Sequence, residues 1–164
     1  MTLGRVVSEV SKQSFPAFAN DVLFAPLGIR GANWQDFDQH RQTDTGGHLA
    51  LRPRDLAKIG QLVLQQGKWN GQQLVSNSWI QQATSEHTRI DKANMSYGYL
   101  WWRMSFPYKG IRAQLFFASG NGGQYIFVMP ELDMVTVFTG GNYNSPKAGL
   151  PFQLLSKFIV PAAQ

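Results

Sequence analysis

Apolar residues in the first half of the chain recur with the spacing of helices. Over Leu3–Val10 they stand at positions i, i+3, i+4 and i+7, which predicts one face of a short amphipathic helix. Polar segments separate the apolar ones, and 28–48 is long enough to predict a surface loop that could line a site. Residues 85–96 are also polar, and no regular element is predicted there. The helical spacing and the residues that flank it predict three more helices, over about 16–23, 53–66 and 78–84.

From Tyr97 onward the pattern changes to short runs rich in aromatic and β-branched residues. Short connections separate these runs, which favours antiparallel pairing, and Leu150–Ile159 is then predicted to cover the sheet as an amphipathic helix. The predicted fold class is α+β, an antiparallel meander with flanking helices. We expect a single domain over 1–164, with a helical part over about 1–96 and the sheet with its closing helix over about 97–164. The four predicted strands are Tyr97–Met104, Gln114–Ala118, Gln124–Met129 and Met134–Thr139, with a turn at Tyr108–Arg112.

Composition and charge exclude several classes of protein. The 15 basic residues outnumber the 10 acidic ones, but they are scattered singly, which argues against a nucleic-acid-binding patch. The sequence has no cysteine, so disulfides and thiolate metal sites are excluded. No stretch approaches the roughly 20 apolar residues of a membrane span, and the residues after Met1 lack the pattern of a signal peptide. These features predict a soluble chain but do not identify its compartment.

Few residues suggest chemistry by their spacing alone. His40, His48 and His87 lie in separate segments without the i, i+4 spacing of a metal site, so we expect structural or solvated histidines, no bound metal and no cofactor. The glycines after Ser119 do not form a GxGxxG motif and do not precede a helix, which argues against a phosphate-binding loop. No serine is followed three residues later by lysine. The spacing therefore identifies no activated nucleophile.

The glycine-rich turn inside Phe116–Gly141 is the most distinctive stretch. It runs from Ser119 to Gly123 and is followed by two β-rich runs that Pro130–Asp133 separates. The turn has two interpretations that the spacing leaves open. It is either a plain connection between sheet strands, or a place where a ligand approaches bare backbone because no Cβ blocks the way.

Several segments in the same order resemble one known family. They are LGRVVSEVSKQSFPAFANDVLFAPLGI from Leu3, GGHLALRPRDLAKIGQLVLQQGKWNGQQLVSNSWIQQAT from Gly46, YGYLWW from Tyr97 and SGNGGQYIFVMPELDMVTVFTGGNY from Ser119. Together they resemble the C-terminal half of class C β-lactamase-type serine hydrolases, a group that includes penicillin-binding-protein-like peptidases and esterases. The resemblance covers roughly 3–160. It implies a helical region beside an antiparallel sheet and hydrolysis of amides or esters through an acyl-enzyme.

The resemblance also implies a site at the glycine turn. Family members use Ser-x-x-Lys, Tyr-x-Asn or Ser-x-Asn, and a third element, Lys-Thr-Gly or His-x-Gly. Only the third maps here, onto Asn121, Gly122 and Gly123, with Asn121 in the place of the basic residue. By analogy the backbone N–H of Gln124 would donate to an oxyanion, and Asn121 would bind a substrate carboxylate without the charge of lysine. Ser119-Gly120-Asn121 matches Ser-x-Asn, which we interpret as coincidence.

The missing elements shape the expected function. The family's serine and lysine would precede Met1, so we expect either a truncated chain or a second polypeptide that supplies them, and an isolated chain without activity. The alternative is a non-catalytic binding module that keeps this part of the fold and binds a small acyl or peptide-like ligand. Absent strands would leave a sheet edge unpaired, which predicts association, including a homodimer. Family members are often exported to the periplasm, but this sequence does not locate the protein.

Overall fold

The computed structural model describes residues 2–36, 43–90 and 94–163. They form two compact units, Met1–Asp55 and Leu56–Gln164. The predicted α+β class is confirmed, because helices accompany one large antiparallel sheet. Among the described residues, no helix combines the length and the apolar character that a membrane span needs.

The first unit contains two helices and an irregular segment. Helix α1 spans Thr2–Ser11, although its predicted apolar stripe is largely exposed and the buried position on it is Gly4. Helix α2 spans Phe15–Ala19, with Ser14 as N-cap, and continues as a π-helical turn over Asn20–Phe24. The described parts of the predicted loop, 28–36 and 43–48, contain isolated bridges only, Asn33 with Ala50 and Asp36 with Thr43. Phe24, Leu27 and Ile29 are the buried apolar residues of this unit.

The predicted third and fourth helices are both present. Helix α3 spans Pro53–Leu64, and α4 spans Asn77–Thr84 with the predicted cap, Ser76, accepting a hydrogen bond from the N–H of Trp79 at 3.2 Å. Between them, two short strands, β1 (Lys68–Trp69) and β2 (Gln72–Gln73), form a hairpin around Asn70 and Gly71. Both turn residues have positive φ, as a two-residue hairpin turn requires.

The main sheet has six antiparallel strands in sequence order, two more than predicted. Of the additional strands, β3 lies in the segment 85–96 that was predicted to be irregular, and β4 begins there and ends at Tyr97. They were missed because Thr88-Arg89-Ile90 and Met95-Ser96-Tyr97 are too short to show an alternating pattern. The six strands are β3 (Thr88–Ile90), β4 (Met95–Tyr97), β5 (Trp102–Tyr108), β6 (Ile111–Ser119), β7 (Tyr125–Met129) and β8 (Met134–Phe138).

The predicted strand Tyr97–Met104 is wrong in its extent. Tyr97 ends β4 and pairs with Trp102, which begins β5, so the residues between them form a turn. Leu100 has a φ of 64°, which no strand residue adopts. The predicted turn at Tyr108–Arg112 is shorter than expected, because Lys109 and Gly110 alone connect the paired residues Tyr108 and Ile111. Neighbouring apolar residues therefore do not by themselves locate the ends of strands.

Alternate residues of the strands pack on opposite faces of the sheet. On one face, Phe117, Phe127 and Met129 pack against the C-terminal helix, which comprises α5 (Leu150–Leu154), a π-helical segment (Leu155–Ile159) and α6 (Val160–Ala162). On the other face, Ile126 and Val128 pack with residues of α3 and α4. Helix α3 approaches the sheet through Gly60, where an added Cβ would lie 2.6 Å from Val135. The sheet is therefore covered on both faces.

Candidate functional site

The glycine turn joins β6 to β7 and is closed by backbone hydrogen bonds. The N–H of Gly120 donates to the carbonyl of Gln124 at 2.9 Å. Gly123 has a φ of 88°, a conformation that L-residues with a side chain rarely adopt. A Cβ on Gly123 would also lie 3.2 Å from the carbonyl oxygen of Ala148. Position 123 therefore requires glycine, both for its positive φ and because a side chain would contact Ala148.

The side chain of Gln124 holds the turn against the loop that follows β8. Its Oε1 accepts a hydrogen bond from the N–H of Gly122 at 2.8 Å. Its Nε2 donates to the carbonyl of Gly140 at 2.5 Å and lies 3.3 Å from the hydroxyl of Tyr143. One amide side chain therefore acts as both donor and acceptor and fixes two backbone segments.

Asn121 is bound to the same loop from the exposed side. Its Nδ2 donates to Oδ1 of Asn144 at 3.0 Å, and its Oδ1 accepts a longer bond from the N–H of Asn144 at 3.4 Å. The resemblance implies that Asn121 binds a substrate carboxylate. The Nδ2 amide carries two hydrogens, so it can donate one to Asn144 and the other to such a ligand.

Three backbone N–H groups in and beside the turn have no acceptor in the described parts of the chain: those of Ser119, Asn121 and Gln124. Since Gly120 donates toward β7, the N–H of Ser119 points to the other side of β6, where β5 already begins at Trp102, opposite Phe117. Strand β6 therefore extends two residues beyond the start of β5. We call Ser119–Gln124 the rim.

The four residues that the resemblance assigned to the site, Asn121, Gly122, Gly123 and Gln124, are consecutive in the turn, where Asn121 is exposed and the two glycines are buried. Sequence reasoning missed Gly140, Tyr143 and Asn144, which contact them. The signal was weak, because these contacts span 16 to 23 residues along the chain and no periodic pattern links their two ends. Only the glycine pair and asparagines after β8 marked that loop as a turn.

The histidines that the structure describes make local contacts. Nδ1 of His48 lies 2.7 Å from a carboxylate oxygen of Asp44. The His87 ring stacks on Tyr99 with centroids 4.1 Å apart, and its Nε2 lies 2.9 Å from the carbonyl of Gln82. His40 lies outside the described residues. Across the described ranges, no group of three His, Asp or Glu side chains is placed to hold a metal ion.

The Asp44–His48 pair predicts a specific pH response. The hydrogen bond from His48, together with one from the N–H of Gly46, favours the ionised carboxylate and lowers the pKa of Asp44 below its ordinary value of 3.8. Because the folded-state pKa is depressed, this contribution to stability is present above pH 3.8 and is lost as the pH falls through the folded-state pKa.

Carboxyl ¹³C shifts followed by NMR titration should show Asp44 titrating below 3.8 in the unmodified chain. Replacing His48→Ala should move the midpoint upward, toward 3.8, because the largest cause of the shift is removed. A midpoint that the substitution leaves unchanged would contradict this assignment.

Tyr125 follows the rim and could be mistaken for a catalytic base. Burial raises the pKa of its phenol above the ordinary value of 10.0. Its ring lies parallel to that of Phe127, with centroids 5.0 Å apart. Tyr125 therefore stays protonated at neutral pH and packs, partly buried, against the core.

A family model described as "Beta-lactamase" matches residues 1–151. A search of curated proteins found no match. Among solved structures, a Bacillus anthracis protein that carries the name 6-aminohexanoate-dimer hydrolase superposes with a TM-score of 0.79 at 22% identity, over 99% of this chain and 41% of that protein.

Two penicillin-binding-protein homologues also superpose. The one from Caulobacter crescentus gives a TM-score of 0.62 at 17% identity, over 88% of this chain and 53% of its own length. The octameric one from Pyrococcus abyssi gives 0.60 at 18% identity, over 94% of this chain and 40% of its own length. At these identities the likeness shows the fold. The chain spans about half or less of each structure.

Proposed function

Because this chain belongs to the beta-lactamase family, we propose that it forms one wall of a serine-hydrolase cleft, with Asn121, Gly122, Gly123 and Gln124 as its substrate-binding residues. The family match over residues 1–151 supports the class. The observation that carries the proposal is the rim, where β6 projects beyond β5 and backbone N–H groups have no acceptor in the described ranges.

The chemistry of the rim suits an acyl group. A backbone N–H without a protein acceptor can donate to the oxyanion of a tetrahedral intermediate, and one such donor lowers the barrier by about 3 kcal/mol. Gln124 is the donor that the resemblance implies, and the N–H of Asn121 also has no acceptor in the described ranges. The exposed amide of Asn121 donates one hydrogen to Asn144 and has a second one for a carboxylate. The proposed ligand is therefore a small acyl or peptide-like molecule.

The names of the structural relatives point to the same substrate class. The dimer of 6-aminohexanoate is joined by an amide bond, and the other relatives are named for penicillin binding. We propose amide or ester hydrolysis through an acyl-enzyme for the complete catalytic unit. This sequence contains no Ser-x-x-Lys and no Tyr-x-Asn, so a polypeptide that carries them would have to meet the rim. By itself, the chain would bind without turnover.

The first test is turnover by the purified chain. With nitrocefin and p-nitrophenyl butyrate as substrates, we expect hydrolysis no faster than in buffer, because no nucleophile is activated. Ser119 stands on the rim, so Ser119→Ala is the informative variant. Turnover by the unmodified chain that disappears in Ser119→Ala would contradict our exclusion of this serine.

The second test is binding at the rim. N-phenylacetylglycine carries an acyl amide and a carboxylate, and Trp102 stacks on Phe117 two residues from the rim. We expect a saturable change in tryptophan fluorescence in the unmodified chain. No saturable change with any such acyl-amide probe would contradict the proposed wall.

A non-catalytic binding module is the second candidate. The observation in its favour is that Asn121 replaces the family's basic residue and is bound to Asn144. To separate the two candidates, the turnover assay and the probe titration are repeated after adding a polypeptide that carries the family's Ser-x-x-Lys element. Turnover that depends on both polypeptides supports the hydrolase. Binding without turnover supports the module.

We propose in addition that the chain associates with another polypeptide, either a second copy or one that supplies the missing elements. The Pyrococcus abyssi relative is an octamer, which supports this proposal because it shows that a protein with this fold can form oligomers.

A further inference from the structure

The loop that follows β8 is held against the rim by bonds at several of its residues. The N–H of Asn142 donates to the carbonyl of Gly122 at 2.9 Å, which joins the two backbones. Asn144 has a φ of 53° and exchanges hydrogen bonds with the side chain of Asn121. Asparagine is one of the few residues that tolerate this left-handed conformation. The backbone of this loop, residues 140–144, is therefore fixed relative to the rim, and we call it the facing loop.

Tyr143 of the facing loop lies directly on the glycine turn. A Cβ on Gly122 would lie 2.9 Å from Cε1 of Tyr143, so the ring rests on bare backbone. Its hydroxyl lies 3.3 Å from Nε2 of Gln124. Tyr143 is nevertheless 62% exposed. A tyrosine that is held on one side and open on the other can pack its ring on the protein and offer its hydroxyl to a ligand.

The contacts of Gln124 fix the direction of its hydrogen bond with Tyr143. Its Oε1 accepts from the N–H of Gly122, and its Nε2 donates to the carbonyl of Gly140. The reverse orientation of this amide would place donor against donor and acceptor against acceptor. The second hydrogen of Nε2 is therefore directed at the Tyr143 hydroxyl, whose oxygen accepts it. These contacts involve residues 122–143 alone, and they leave the hydrogen of the hydroxyl for another acceptor.

The rim and the facing loop together present donors. The hydroxyl hydrogen of Tyr143 has no acceptor among the described residues, and accepting a bond from Gln124 makes this hydroxyl a stronger donor. The Asn121 amide adds a second hydrogen beside the one it gives to Asn144. Neither segment contains an acidic residue. Such a set of donors favours a ligand group that accepts hydrogen bonds and carries negative charge.

We propose that the hydroxyl of Tyr143 donates to a carboxylate of the bound ligand, and that this bond makes the rim selective for acyl-amide ligands with a free carboxylate. This selectivity rests on the proposed function, because Tyr143 belongs to the same cleft wall. Tyr143 lies outside the four residues that the family resemblance assigns to the site. Its role is to determine specificity, since a neutral ligand of the same shape would accept a weaker bond from it.

A pair of probes separates the carboxylate from the rest of the ligand. N-phenylacetylglycine carries the carboxylate, and its methyl ester keeps the acyl amide without the charge. In NMR titrations followed at the amides of the rim, Tyr143→Phe should raise the dissociation constant of the acid about tenfold, the effect of one hydrogen bond to a charged group. The dissociation constant of the ester should rise by no more than about threefold, because a neutral acceptor forms a weaker bond.

Tyr108→Phe is the matched control. It also removes a single hydroxyl, one that donates to the carbonyl of Ala163. Tyr108 pairs with Ile111, at the end of β6 opposite the rim. The variant should therefore leave the dissociation constants of both probes unchanged. A loss of acid binding in Tyr108→Phe equal to that in Tyr143→Phe would overturn the assignment to Tyr143.

The ¹³Cζ resonance of Tyr143 supplies a second measurement, made on the unmodified chain. Its shift on saturation with the acid should exceed its shift with the ester, because the acid accepts the stronger bond from the hydroxyl. Equal weakening of both probes by Tyr143→Phe, or no weakening of the acid, would overturn the role of Tyr143 and leave the rim as a binding site. No binding of either probe to the unmodified chain would overturn the rim and the role of Tyr143 together.

Discussion

Replacing Phe127→Ala should lower the free energy of unfolding by about 3–5 kcal/mol, the range for truncating a buried aromatic side chain. Phe127 is fully buried in the middle of β7. Its ring contacts four others, those of Phe117, Tyr125, Phe138 and Phe152, with centroids 5.0 to 6.0 Å apart. The cavity would form between the sheet and the C-terminal helix, so neither layer could close it without moving the other.

Chemical denaturation at fixed protein concentration measures this effect. Ile111→Ala on β6 is the matched control, because Ile111 is 52% exposed and its truncation should change the free energy by about 0.5 kcal/mol or less. Phe127→Leu should fall between the two, since it keeps most of the volume. If Phe127→Ala unfolded at the same denaturant concentration as Ile111→Ala, the aromatic cluster would not be the core of this unit.

Replacing Gly123→Ala should disrupt the rim. The cost of φ near 88° for an L-residue is about 1–2 kcal/mol, and the new Cβ would press on the carbonyl of Ala148. The strain falls on the turn that presents Asn121 and Gln124, so binding of N-phenylacetylglycine should be lost as well. Thermal unfolding and the fluorescence titration measure the two effects separately.

Gly141→Ala is the control for this variant. Gly141 lies in the facing loop, and a Cβ there would meet no atom within 4 Å. Its substitution should therefore be neutral, or stabilising by up to about 1 kcal/mol through the unfolded state. Equal losses of binding in the two variants would indicate that the rim does not hold the ligand.

The sequence predicted those elements whose pattern is long and local. Helix α3 carries more than three turns of helical spacing, and β7 and β8 are short apolar runs bounded by glycine and proline. Strands β3 and β4 could not be predicted, because a run of three residues is too short to show an alternation of apolar and polar side chains. These strands are recognised only by their pairing with each other and with β5. The turn after β4 contains Leu100 in a left-handed conformation. Leucine rarely adopts this conformation, so the sequence gives no indication of a turn there.

The candidate site was predictable only as far as the turn itself. The family resemblance predicted Asn121 to Gln124 as site residues, whereas spacing alone favoured a plain turn. Gly140, Tyr143 and Asn144 became part of the site through side-chain bonds across 16 to 23 residues. Such bonds depend on how β7 and β8 bring two loops to one end of the sheet, which no local pattern encodes.

The order of the six strands has a consequence for how the protein folds. Every strand pairs with its neighbours in sequence, through connections of two to five residues. The entropy lost on closing each loop is therefore small, and the low contact order favours rapid folding. Hairpins such as β5–β6 can form while later residues are still leaving the ribosome, and docking of the C-terminal helix, which needs the finished sheet, is expected to come last.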